Sequence, residues 1–323
     1  MRIGGLRSPL RVVSLAALGA VVLLAACGQE FHLPPRPEPG RIPTAGTYNL
    51  EAIWTLDAPT DLASQGSFLY VIEGDATVHA YLTEQRTPQQ TPFVAEFEGL
   101  VHPVHVAIAK KDSTFVFVAD AGDMTVKRYH FTGGAIRQTI QDSSWVELSG
   151  LAVDGDLNVY VSDAPRNVVY RYAPSGEVDR LVSDLGSGTG FVDGPTGMFF
   201  NGVHLVVSDT NKNWVQRIVP DTTNIAASGD PIGVDFTLHE PMDVTSDRDR
   251  SFIYVADTGS DRILKFLTTG AFEDSVYSPF KTETTLEIPI AGPRYVATEG
   301  DKVFVSDPAN DRVVIFKLAS GPI

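Results

Sequence analysis

Four residues have types and spacing that could do chemistry together: Asp61, His105, Asp243 and Tyr295. Each is the third residue of a short element that recurs six times. The copies are Pro59-Thr60-Asp61-Leu62, Pro103-Val104-His105-Val106, Leu148-Ser149-Gly150-Leu151, Pro195-Thr196-Gly197-Met198, Pro241-Met242-Asp243-Val244 and Pro293-Arg294-Tyr295-Val296. A repeat needs its turns in every copy and a site only once, so residues that break the repeat are the candidates. Asp61, His105 and Asp243 are expected to hold a small polar ligand or a divalent cation. Oxygen and imidazole donors suit Zn²⁺ or Ca²⁺. Arg294 would clamp a ligand carboxylate beside Tyr295. Gly150 and Gly197 are expected to leave room opposite. The competing expectation is that these groups satisfy one another and line a wet pore.

The elements that position them are visible as a second repeat, downstream of the first. Five segments align: Phe115 to Tyr129, Val159 to Tyr172, Leu205 to Ile218, Ile253 to Phe266 and Val303 to Phe316, with Leu69 to Tyr81 as a degenerate sixth. Their acidic residues are Glu73, Asp120, Asp163, Asp209, Asp257 and Asp307, spaced by 47, 43, 46, 48 and 50 residues. Alternating β-branched and aromatic runs on both sides of a Gly/Asn/Asp/Pro turn read as hairpins. The period fits one four-stranded blade per repeat. Each Asp is expected to accept N–H groups of the turn that follows. Arg128, Arg171, Arg217 and Lys265 on the next strand are expected against neighbouring carboxylates.

The V-A-D or V-S-D hairpin, the proline-opened inner element and Gly188-Thr189-Gly190-Phe191 together resemble the NHL repeat. The resemblance spans roughly residues 47 to 318 and implies an all-β, six-bladed propeller of the NHL/TolB-like kind in one domain, 47–323. The run Tyr48 to Leu56 is expected to close the ring as the outer strand of blade six, since an open ring leaves unpaired edges. Similar propellers include amidating lyases and lactonase-like hydrolases. Their metal-binding residues do not carry over: only His105 lies in an element comparable to those bearing the lyase histidines. Phosphate-loop, nucleophile-elbow and HExxH patterns are absent. His102 and His239 in the loops before the inner elements are weaker ligand candidates. Trp145 and Trp214 are candidate partner anchors, with core packing favoured for Trp214.

Residues 1–26 read as a secretory signal, with Arg2, Arg7 and Arg11 before the apolar run Val12 to Ala26, too short to span a bilayer. Leu24-Ala25-Ala26-Cys27 resembles a bacterial lipobox, which implies acylation of Cys27, the single cysteine. Residues 27–46 carry five prolines and read as a tether. Without residues 1–26 the chain has 22 basic against 40 acidic side chains, a charge of −18. That charge disfavours nucleic acid. The expected protein is therefore a monomeric, exported lipoprotein of the cell envelope, on the outer membrane or facing the periplasm in a Gram-negative source and otherwise on the outer face of the cell membrane. It would touch the membrane only through its anchor and bind a protein, peptide or glycan. The alternative is a metal-dependent lyase or hydrolase.

Overall fold

The computed structural model describes residues 48–319, except 75, 92–93, 222–228, 234–236, 248 and 279–288. The signal, Cys27 and the tether lie outside the described residues. Apart from short 3₁₀ segments, the regular structure of the described chain is antiparallel strand, in six sheets. Five are four-stranded. Their inner strands are Pro103–Lys110, Gly150–Val153, Pro195–Phe200, Pro241–Ser246 and Val296–Glu299, in blades two to six. Blade one starts at Leu62–Gln65. Each inner strand touches the next, and the sixth touches the first, so the ring closes as a six-bladed propeller.

Closure is made by the strand Tyr48–Thr55, paired antiparallel with Arg312–Leu318 as the outer strand of blade six. The burial of this strand explains its sequence. Tyr48 and Trp54 are buried, while Leu50 and Ile53 face out. The ladder shifts between Leu50 and Ala52, which resets the alternation. Trp54 stacks obliquely on Tyr81 of blade one and Phe304 of blade six, and donates Nε1 to Arg86 O.

The cores lie between blades. Six apolar clusters occupy the six junctions, each built from two neighbouring sheets. Both faces of each sheet are covered, so middle strands such as Leu205–Asp209 are buried at every residue.

Blade one departs from the four-stranded expectation. It has three strands among the described residues, and beyond Leu82 only the bridge Tyr81–Gln90 continues it. The sequence from Glu84 to Gln90 is polar, contains Pro88 and has no alternation to bury, so a full fourth strand has no driving force there.

The anchoring Asp residues also differ from expectation. The turns after Asp163, Asp209, Asp257 and Asp307 are short 3₁₀ segments without a side-chain cap from the Asp. The carboxylates reach sideways to the loop leading into the inner strand: Val101 N donates to Asp120, Val146 N to Asp163, Asp193 N to Asp209, His239 N to Asp257 and Ala291 N to Asp307. Among the described residues only Asp120 also takes a backbone amide of its turn, Gly122, while Asp307 takes the side-chain amide of Asn310. Sideways bonding wins because the lead-in loop is irregular backbone with otherwise orphaned donors.

Candidate functional site at the inner ring

The third position of each inner strand lies near its start, where the lead-in loops gather. In blades two and five the ladder skips a residue just before the site residue, between Pro103 and His105 and between Pro241 and Asp243. Such bulges re-aim side chains.

Asp61 and His105 meet. Asp61 Oδ2 lies 3.2 Å from His105 Nδ1 and accepts Val106 N at 2.9 Å, while Oδ1 accepts Leu62 N at 2.7 Å. Asp243 repeats the device two junctions away: its Oδ2 accepts Val296 N of blade six at 2.9 Å. Each aspartate thus ties its own blade to the next, where inner strands do not pair and amides would be orphaned. The His105 ring stands edge-on to Tyr295, with centroids 5.7 Å apart. All four candidates are buried, and His105 and Tyr295 are only 5% and 9% exposed.

The electrostatics confirm that the arc is one neighbourhood. Burial pushes the Asp243 carboxyl well above the ordinary carboxylate range, and the charge of Asp61 adds to the rise. Burial also raises the Tyr295 phenol; Asp61 and Asp243 raise it further, against Arg294. With Nδ1 held by Asp61, the free nitrogen of His105 is Nε2. Neither Nε2 nor the Tyr295 hydroxyl has a partner among the described residues.

Three expectations need correction. Among the described residues no group of three or more His, Cys, Asp or Glu is arranged to hold a metal ion. Asp61, His105 and Asp243 do not form such a donor set: Asp61 accepts amides of its own blade and of the next, and Asp243 accepts one of the next. The glycines do not leave room. A Cβ on Gly150 would lie 2.0 Å from Thr196 O, and one on Gly197 would lie 2.2 Å from Asp243 Oδ1. They let neighbouring inner strands approach, with Ser162 and Thr196 hydroxyls donating across to Thr196 O and Met242 O. Trp145 is not a surface anchor: it is 7% exposed and donates to the Tyr172 hydroxyl at 2.7 Å.

Trp214 is half-buried, with the Lys212 ammonium over its ring. Arg294 is exposed, and its guanidinium has no partner among the described residues. His102 and His239 are exposed in lead-in loops and contribute backbone amides to the anchors. Arg171 and Arg217 meet Asp179, Asp221 and Asp230 as expected. Arg128 and Lys265 rest instead on the rings of Phe115 and Phe252.

Sequence reading missed the cations that serve the anchors. Lys127, Lys212, Arg262 and Arg312 pair with Asp120, Asp209, Asp257 and Asp307. Their distance from the Asp varies from three to seven residues, so no fixed spacing betrays them.

No protein-family model and no curated protein sequence matches the chain. Solved structures do. A virginiamycin B lyase from Staphylococcus aureus aligns with TM-score 0.55 and 13% identity over 81% of this chain and 95% of its own. A Bacteroides thetaiotaomicron protein of unknown function gives 0.59 and 16%, over 82% and 70%. A chain of a nidogen/laminin complex gives 0.54 and 15%, over 68% and 80%. At these identities the likeness establishes the propeller fold and nothing finer.

Proposed function

We propose that this chain is an exported propeller, anchored through acylated Cys27, that acts as a binding module for a protein, peptide or glycan at the inner ring. The observation that carries the reading is the pair of unpartnered polar atoms, His105 Nε2 and the Tyr295 hydroxyl. They lie on side chains more than nine-tenths buried, within the arc where the inner repeat is broken. Arg294 beside them offers a free guanidinium for an acidic or hydroxylated group on the ligand. The NHL-type repeat and the lipobox-like Leu24-Ala25-Ala26-Cys27 support the architecture and the location in the envelope.

One observation favours an enzymatic second reading. A histidine whose Nδ1 faces a carboxylate is oriented to use Nε2 as a general base. A lyase is also among the solved neighbours.

One experiment separates the two. Immobilised full chain is exposed to envelope extract, and the retained ligand is identified by mass. The binding reading expects a ligand recovered unchanged and lost from the Arg294→Ala/Tyr295→Phe variant. Equal retention by that variant sinks the inner-ring site. A ligand altered by the wild type but recovered intact from His105→Gln would move the protein to the lyase or hydrolase class.

A further inference from the structure

The lead-in loops follow two hydrogen-bonding patterns, the first in blades two to six and the second in blades four to six, and blade one shows neither. The residue two before the inner-strand proline donates to its own blade's anchoring Asp: Val101, Asp193, His239 and Ala291, with Val146 doing the same where Leu148 replaces proline. The residue just before the proline donates to the left-handed Asn or Asp that closes the preceding hairpin. Gly194 bonds Asn167, Glu240 bonds Asn213 and Gly292 bonds Asp261, at 2.6–2.7 Å.

Blade one has the same backbone without the bonds. Its lead-in is Asp57-Ala58-Pro59, and Ala58 keeps a left-handed φ of 39°, as Gly194, Glu240 and Gly292 do. No side chain among the described residues accepts the amide of Asp57 or Ala58. Glu73, in the anchor position, turns Oε1 to the Tyr81 hydroxyl at 2.5 Å and to His79 Nδ1 at 3.1 Å. Asp311, the left-handed residue of blade six, holds the loop by its backbone oxygen, from Leu56 N at 3.0 Å, and its carboxylate has no partner among the described residues.

Where those contacts would lie there is a cavity of about 650 Å³, lined by Thr55, Asp57, Glu73, Tyr81, Gln90 and Asp311, with Leu56 and Pro88 as apolar wall. Three carboxylates face it, and no lysine or arginine lines it among the described residues. The nearby Arg86 is paired with Glu51.

The missing component is a cation. Four of the five regular anchors receive an ammonium or guanidinium from the chain itself. Glu73 receives neither; its basic neighbour is the His79 imidazole, which meets Oε1 and leaves Oε2. Glu73 is only 7% exposed, its Oε2 has no partner among the described residues, and it lines the cavity. Asp163 shows the contrast: its Oδ1 also lacks a partner, but that atom is sealed inside the protein. Among the described residues these carboxylates are not grouped as a set of three or more donors that could hold a metal ion.

We propose that the junction of blades six and one binds an organic cation, an ammonium or guanidinium on a short apolar stem. The charged head takes the place that Lys127, Lys212, Arg262 and Arg312 hold in their blades. The stem lies along Leu56 and Pro88.

The test is calorimetric titration of the full chain with n-butylammonium, n-butylguanidinium and the blocked tripeptide acetyl-Gly-Lys-Gly-amide, with n-butanol and Ca²⁺ as controls. At least one cationic probe is expected to bind one-to-one, with neither control competing. Glu73→Gln and Asp311→Asn should each weaken binding by about tenfold, the scale of one charge-assisted hydrogen bond. Both keep the local geometry, since Gln can still accept from Tyr81 and Asn favours the left-handed position. Tighter binding of the tripeptide identifies a basic side chain of a polypeptide as the source; tighter binding of n-butylammonium or n-butylguanidinium identifies a free amine or guanidine. Gln90→Lys supplies the cation internally and should raise the melting temperature and abolish probe binding. The proposal is overturned by no saturable binding of any cation, by equal binding of n-butanol, or by unchanged affinity in Glu73→Gln. Unchanged melting and binding in Gln90→Lys would overturn it too. None of these outcomes bears on the inner-ring site, whose residues are untouched.

Discussion

Asp243 carries two loads that pull its carboxyl in opposite directions. Burial disfavours the charged form and the nearby Asp61 adds to that, while the amides of Val296 and Val244 favour it. The net rise means that the folded protein keeps this proton at pH values where the unfolded chain, titrating near pH ~4, has lost it. Its contribution to stability therefore falls as pH rises from about 4 towards the folded pKa, and is flat above it. In Asp61→Asn one raising influence is gone. The ¹³Cγ titration midpoint of Asp243 should move down in that variant, and an unmoved midpoint would mean that the two carboxyls do not share a field. His79 is raised mainly by its hydrogen bond to Glu73, so its contribution has the same direction. It is present below pH ~6.5 and lost as pH rises through the folded value.

At the scale of elements, the inner strands show how a single missing methyl sets the geometry of a ring. Gly150 has backbone oxygen where its Cβ would be, and a carbonyl held in the adjoining strand cannot swing aside as a flexible side chain can. Gly150→Ala should cost about 2–3 kcal/mol or more in urea denaturation, an overpacking penalty. Gly155→Ala is the matched control, since its Cβ meets nothing within 4 Å and should change stability by less than about 0.5 kcal/mol. Comparing copies marked Gly150 and Gly197 as exceptional. Whether an exceptional glycine makes space or fills it depends on the distance to the neighbouring strand, which a sequence does not contain. The cations of the anchors were hidden for a related reason. Arg128 and Lys127 are adjacent, and strand pleating sends them to opposite faces. Lys127 reaches the buried Asp120, and Arg128 lies on Phe115.

For the whole molecule the decisive contact is the one that joins the two ends of the described chain. Trp54 is fully buried between Tyr81 of blade one and Phe304 of blade six, so it bridges the junction as well as completing a sheet. Trp54→Ala should lower stability by about 3–5 kcal/mol. Deletion of residues 47–56 should remove the cooperative melting transition, because it exposes the edge of blade six and opens its apolar junction with blade one. A deletion variant that melts as sharply as the parent would show that closure is not what holds the ring.

The same junction marks the boundary between what could be read and what could not. The sixfold period, the alternating runs and the leftover strand Tyr48 to Leu56 determined the propeller and its closure, because pleating and repetition are local facts written at intervals of two and of about 47 residues. The arc of Asp61, His105, Asp243 and Tyr295 was legible too, as departures from the repeat. Only the tertiary structure decided what those residues do. It gave the two aspartates to backbone amides of the adjoining blades and left His105 Nε2 and the Tyr295 hydroxyl without partners among the described residues. It also turned Glu73 away from its lead-in loop and opened a cavity beside it. Each outcome depends on which donors lie within about 3 Å across a blade junction. That distance is set by packing two sheets together, and no spacing along the chain encodes it.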